Sequence, residues 1–193
     1  MTLVDEQPVV LLTGISASGK STVAELLARR FTRGVHVKGD VFRRMVVSGR
    51  HEMTTRPSDE AWSQLRLRYR LGASTADAYH QAGFAVVVQD VVIGSVLADY
   101  IDAIRSRPLV VVVLTPRVEV VARREAARDK VAYGEGAASI EQLDRALRQD
   151  TPSIGLWLDN SDQQPDETVD EIIERGLEHG SIDPPGPGAR SHR

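Results

Sequence analysis

The chain of 193 residues contains no cysteine. Disulfides, thiolate-held zinc and iron–sulfur clusters are thereby excluded, and the composition carries no redox signature. No charge of one sign dominates: 24 Lys and Arg stand against 27 Asp and Glu, for a formal net charge of −3. So even a balance supports neither a polyanion-binding surface nor an acidic solvating protein, and a nucleic-acid partner is unsupported. Long hydrophobic runs are missing as well. FAVVV and LVVVVL are far too short to span a bilayer. The opening MTLVDEQPVVLLTG has an acidic flank, so neither a secretion signal nor a membrane helix is expected, and a cytoplasmic location is. Lysine occurs only at Lys20, Lys38 and Lys130, a bias toward arginine to which no function attaches.

What is present is a repeating theme of short, β-branched, uncharged runs followed by longer amphipathic stretches. Strands covered on both faces by crossover helices read this way, because a parallel sheet has no wet side. The pattern predicts strands at Val9–Thr13, Val35–Val37, Phe84–Gln89, Leu109–Leu114 and Leu156–Leu158. Helices are predicted at Lys20–Phe31, Val41–Ser48, Trp62–Ala82, Val96–Arg105, Arg117–Arg128, Ser139–Gln149 and Asp166–Arg175. This alternation implies one α/β domain over residues 1–180, a doubly wound, five-stranded parallel sheet with helices on both faces. Its ligands belong at the carboxyl ends of the strands. The proline- and glycine-rich SIDPPGPGARSHR has little to bury, so residues 181–193 are expected to be a disordered tail.

The sequence LLTGISASGKST holds the strongest chemical signal. Gly14, Gly19, Lys20 and Ser21 fit G-x-x-x-x-G-K-[ST], with a strand before the motif and a helix after it, the context a phosphate-binding loop requires. Glycine lets the backbone curl around an anion without a Cβ in the way. The nest runs through Gly14, Ser16, Ala17, Ser18, Gly19, Lys20, Ser21 and Thr22; amides from about Ala17 onward and the positive helix end hold phosphate. Lys20 adds a full charge, and the Ser21 hydroxyl is a candidate Mg²⁺ ligand. The alternative, a plain glycine–serine turn, has no need of that flanking strand and helix.

Such loops serve switches, motors and kinases. A guanine-specific switch needs N-K-x-D, but the single asparagine is Asn160, in LDNSD. There is no L-S-G-G-Q for a transporter-type ATPase, and no second helical domain for an AAA-type motor. What remains is the compact small-substrate kinase, requiring ATP and Mg²⁺. Asp40, just past the second strand, can accept a proton from an acceptor hydroxyl and aim its oxygen; it also suits an N-cap for a helix starting at Val41. Asp90 ends FAVVVQD, either reaching Mg²⁺ through water or satisfying nearby backbone amides. Arg124 and Arg128 share a helical face before a glycine-rich stretch, as a lid over residues 123–138 would; the alternative is an exposed, charge-laced helix.

With these residues placed, the chain resembles the chloramphenicol phosphotransferase-like family of P-loop kinases, and more distantly gluconate and adenylylsulfate kinases. The likeness rests on GISASGKST, QDVVIG, VEVVARREAARD and IGLWLDNSDQQPDETVDEII. It implies Asp40 as general base, Arg124 and Arg128 as lid residues, and the Asp159–Ser161 loop beside adenine. Gln89 stands where the family often has an acid, and from Met45 to Gln81 there is no match, so an acceptor is not implied.

That segment, about 41–82, is where the acceptor belongs. GRHEMTTRPSDEAW reads as a loop, and Trp62, Leu65, Arg66 and Tyr69 form a helical stripe facing either core or pocket. Facing a pocket, Trp62 and Tyr69 would be flat walls and Arg66 or Arg70 a polar or anionic anchor; His51 could touch the acceptor. Sugars, nucleoside antibiotics and aromatic alcohols all fit. The expectation is a phosphotransferase moving the γ-phosphoryl group of ATP onto an alcohol of a small molecule, an antibiotic-resistance kinase or a sugar kinase. Its rivals are a nucleic-acid end kinase and a nucleotide-gated module that binds a protein through an apolar patch.

Overall fold

The computed structural model describes residues 3–127 and 138–182. A 3-10 turn at Leu3–Asp5 leads into β1 (Val9–Gly14), α1 (Lys20–Arg29), β2 (Gly34–Lys38), α2 (Gly39–Met45), α3 (Asp59–Gln81) and β3 (Ala85–Gln89). Then come α4 (Val96–Ala103), β4 (Leu109–Leu114), α5 (Val118–Ala126), α6 (Ile140–Asp150), β5 (Leu156–Leu158), α7 (Pro165–His179) and β6 (Ser181–Ile182). The strand order is β2-β3-β1-β4-β5, all parallel.

Alternation along the central strands sorts the core into two layers. Val9 and Leu11 pack with Tyr69, Ala73, Leu97 and Leu147 on one face; Val10 and Leu12 pack with Val23, Leu27, Val169 and Ile172 on the other. Helices α3, α4 and α6 therefore cover one side and α1 and α7 the other, the doubly wound arrangement expected. The chain passes from β1 outward to β2, and later to β4 on the opposite side of β1. The crevice at that reversal opens at the carboxyl ends of the strands, where β1 delivers the glycine loop and β2 delivers Asp40.

Three expectations need correction. Ser181 and Ile182, expected in the tail, pair antiparallel with Val110 and Leu109 and make a sixth strand, because Ile182 packs against the core there. Residues 183–193, the rest of the expected tail, lie outside the described residues, as does 128–137 of the expected lid. Asp40 is not an N-cap: α2 begins at Gly39 with Lys38 at its cap, so Asp40 lies within the first turn. Helix α3 starts three residues before Trp62 because Ser58 caps it, accepting from Ala61 N at 3.2 Å, with Asp59 and Glu60 favourable at the positive end.

Candidate active site

Helix α1 has no side-chain cap at its N-terminus. Its cap residue, Gly19, lies in the left-handed region at φ 99°, and Ala17 at φ 61° reverses the chain just before it. The first turn of α1 thus opens onto a concave loop with its amide dipoles aimed outward, the geometry that receives an anion. Gly14 is required for closeness: a Cβ there would meet the Leu114 carbonyl oxygen at 2.6 Å and Ser18 Oγ at 2.8 Å. The shape and donor set fit a polyphosphate.

Of the expected nest, Ser16, Ala17, Gly19, Lys20, Ser21 and Thr22 line a cleft of about 1450 Å³. Ser18 lies beneath the loop, fully buried. Lys20 is folded inward, donating from Nζ to the Ile15 carbonyl at 2.6 Å. Ser21 is exposed on the cleft side, but among the described residues no group of three acidic or histidine side chains could hold a metal ion. A magnesium ion fits here only as a partner of Ser21 and of phosphate oxygens.

Arg124, expected as a lid residue, lines the cleft and bridges two loops. Its guanidinium donates to the Ser18 carbonyl at 3.1 Å and to the Asn160 carbonyl at 3.0 Å, tying the glycine loop to the β5–α7 loop. Asn160 Nδ2 donates to the same Ser18 carbonyl at 3.1 Å. Asn160 is 2 % exposed, and its Oδ1 is buried without a hydrogen-bond partner. Asn160, Ser161 and Asp162 line the cleft beside the glycine loop, on the side assigned to the base. Arg123, which the sequence reading passed over, also lines it, and Arg128 lies outside the described residues.

Asp40 faces the same cleft. Its oxygens are held 3.0 Å from Arg43 Nε and 3.0 Å from Arg44 Nε. Burial works to raise its pKa, but the Arg43 hydrogen bond and the charges of Arg43, Arg68 and Arg44 outweigh it, leaving the carboxyl below its ordinary value. Asp40 is therefore ionised and aimed, a better orienting group than a strong base.

Asp90 departs from the metal role. Its side chain is fully buried and receives both Nε and Nη2 of Arg68, with the Val91 amide donating to Oδ1 at 2.7 Å. Burial lowers the Arg68 pKa, but an arginine forked on a buried carboxylate stays cationic. Gly39 makes room for the pair, since a Cβ there would stand 1.9 Å from Asp90 Oδ2. With both oxygens committed, Asp90 anchors an arginine instead of an ion.

The stripe on α3 resolves toward the core. Tyr69 is buried, donates to the Val91 carbonyl at 2.8 Å and stacks on Tyr100 with centroids 4.8 Å apart. Trp62 packs on that core, and Arg66 lies over its ring. The cleft face of α3 is instead Ala61, Gln64, Leu65, Leu67, Arg68 and Leu71, rotated from the expected stripe and sharing only Leu65 with it. His51 lines the cleft, as the sequence allowed.

A family model described as "AAA domain" matches residues 9–152, which include the glycine loop, Asp40, Arg68, Asp90 and Arg124. The chain belongs to this family. This broader membership stands in place of the narrower family inferred from motifs. No curated protein matches the sequence significantly. Among solved structures, a sugar kinase from Janibacter sp. HTCC2649 is similar at 20% identity and TM-score 0.63, over 90% of this chain and 96% of that one. A gluconokinase from Sinorhizobium meliloti 1021 follows at 22% and 0.56, over 87% and 90%. A tunicamycin resistance protein from Deinococcus radiodurans is similar at 14% and 0.60, over 93% and 100%. At these identities the likeness establishes the shared α/β fold. Among the described residues of this AAA domain no helix is long and apolar enough to cross a membrane.

Arg68 and Arg123 are cleft residues that the sequence does not single out. Arg66, Arg68 and Arg70 alternate along α3, and which of them faces the cleft is set by how the helix packs on the sheet, which the local sequence does not spell out. Asn160 falls within the Asp159–Ser161 loop that the resemblance places beside adenine, but its hydrogen bond to the glycine loop is visible only in the structure.

Proposed function

We propose that this AAA domain is an ATP- and Mg²⁺-dependent phosphotransferase whose acceptor is a hydroxyl of a small molecule. The observation that carries the reading is one cleft lined both by the glycine loop with Lys20 and Ser21 and by Asp40, with side chains of α2 and α3 enclosing its far half. A nucleotide-binding domain without an acceptor has no use for an ionised, oriented carboxylate facing the loop. That the similar structures include a sugar kinase and a gluconokinase supports the reaction class.

In this reading the glycine loop and the first turn of α1 bind the phosphate tail, and Lys20 leaves the Ile15 carbonyl to neutralise it. Ser21 holds Mg²⁺, which when bound offsets charge on the phosphate oxygens. Asp40 accepts a hydrogen bond from the acceptor hydroxyl and points its oxygen at phosphorus; the new O–P bond forms as the bond to ADP breaks, and the hydroxyl proton leaves through the carboxylate. Arg123 contributes positive charge along the cleft wall. The transition state is loose, so positioning contributes more than proton removal, which suits a carboxyl with a lowered pKa.

Incubation with ATP, Mg²⁺ and a panel of hydroxylated antibiotics, sugars and aromatic alcohols tests this. The expected result is a mass gain of about 80 daltons, one phosphoryl group, on at least one acceptor. Binding of ATP with no transfer to any panel member would count against the phosphotransferase.

A further inference from the structure

Among the described residues, seven large hydrophobic side chains are exposed, and three of them line the cleft. Met45 and Val47 lie at the end of α2 and just beyond it, Met53 lies in the following loop, and Leu67 and Leu71 lie on α3. Met53, Leu67 and Leu71, each about two-fifths exposed, line the cleft itself; Met45 and Val47, at and just past the end of α2, are exposed but do not line it. Leu67 and Leu71 are one helical turn apart, so they present a continuous apolar strip, with Arg68 beside it facing the Asp40 end. Scattered apolar residues on a surface need no explanation, but a cluster leading into a polar cleft does.

The polar groups of this outer half are already engaged. Gln64 Nε2 donates to the Gly49 carbonyl at 2.8 Å and to Glu60, while its Oε1 accepts from the His51 amide at 3.0 Å. Arg43 is spent on Asp40 and on both oxygens of Glu52. A bare polyol would find few free donors or acceptors there and would leave the leucines wet. We propose that the outer half of the cleft receives an apolar body, aromatic ring or alkyl chain, carried by an acceptor whose hydroxyl reaches Asp40. The substrate class is then an amphipathic alcohol, a proposal that rests on the phosphotransferase reading. A second copy of the chain or a protein partner would present a flatter surface; the strip's continuity with a concave cleft favours a small molecule.

The test has two arms, both on the full chain. In the first, 1-anilinonaphthalene-8-sulfonate is titrated with a non-hydrolysable ATP analogue and Mg²⁺ present, so that the nucleotide half is filled. One saturable site is expected, weakened about tenfold or more by Leu67→Asn with Leu71→Asn, the loss expected when an apolar contact is removed. Tyr79→Asn, which alters an exposed hydrophobic elsewhere, should leave the affinity unchanged. Circular dichroism of each variant verifies folding. No saturable site, or one indifferent to the leucine pair, overturns the proposal. So does a wild-type dimer in sedimentation that the leucine pair dissociates, since a second copy would then cover the strip.

The second arm compares matched acceptors: 3-phenoxy-1,2-propanediol against glycerol, and phenyl β-glucoside against methyl β-glucoside. The aryl member should show a kcat/KM at least about tenfold higher, and the leucine pair should abolish the preference through KM. Equal turnover of the members overturns the proposal. If the dye site behaves as expected while no acceptor in either panel is phosphorylated, the apolar site stands and the phosphotransferase reading fails.

Discussion

The nucleotide half of the cleft stands on β1 and β4, every residue of which is buried, whereas the acceptor half hangs from β2 at the sheet edge, where only Val37 is buried. The first is made of backbone: nine consecutive residues curl into a nest braced from below by Arg124 and Asn160. The second is made of side chains from two helices and a loop, set on one buried ion pair. A backbone nest can accept only one kind of ligand, a compact anion. A side-chain wall can change its ligand by changing Leu67, Leu71 or Met53 without disturbing the phosphate site. The two halves meet at Asp40, on the first turn after β2.

The sharpest way to break this division is Lys20→Ala. It should cut kcat/KM roughly a thousandfold, the scale for removing a charge aimed at the transferring group, while leaving acceptor binding intact. Steady-state kinetics with separate calorimetric titration of each ligand would measure both. A comparable loss of acceptor affinity would mean that the halves are not separable. Arg68→Met attacks the other half. It leaves a buried, uncompensated Asp90 carboxylate and should lower unfolding free energy by about 3 kcal/mol, read from urea denaturation. Arg68→Met with Asp90→Leu should recover most of that, because the isolated charge is then gone.

The same division explains what could be read in the chain. The layered sheet was legible because strands buried on both faces are uninterrupted apolar runs, and Leu109–Leu114 and Leu156–Leu158 fall at the residues expected. The phosphate loop was legible because its geometry is spelled by one contiguous motif. Asp40 was legible from its place after a strand, but its partners were not, since Arg43 and Arg44 matter only once α2 is known to start at Gly39. The cleft wall on α3 depends on which side of the helix turns to the sheet, and the stripe through Trp62 and Tyr69 is the side that packs on the core. Asp90 shows a different limit: an acid at the end of a buried strand suits a metal or an arginine equally well until Arg68 is placed beside it. The two-residue β6 carries too little pattern to be seen at all.

At the junction, Asp40→Asn should lower kcat about a hundredfold with little change in ATP affinity, at the low end for a group that handles the transferred proton. Arg44 also loses its counterion while Arg43 keeps Glu52, so kinetics need a parallel stability measurement. The pH profile sharpens the assignment. The Asp40 carboxyl lies below its ordinary value, so its ionised form persists down through the usual carboxylate range near about pH 3.9. Any acid limb from Asp40 must fall below that range. A limb in kcat nearer neutrality that survives in Asp40→Asn belongs to another group.

The smallest effect concerns the strand beneath Asp40. His36 of β2 is pushed down to about 4, chiefly by burial and further by Lys38, with Glu25 opposing, and its Nε2 is buried without a hydrogen-bond partner. A depressed histidine is neutral in the fold while the unfolded chain binds a proton below about pH 6.5. Its contribution to stability is therefore complete above that value and is lost as pH falls toward 4. For a half-buried ring, screened by solvent, the loss should be on the order of 1 kcal/mol. Because β2 is an edge strand, the loosening should be local: amide exchange at Gly34–Lys38, corrected for intrinsic rate, should accelerate at pH 5 while β1 stays protected. His36→Gln should flatten that dependence. Uniform acceleration across β1 and β2 would show that the acceptor half does not open separately from the nucleotide half.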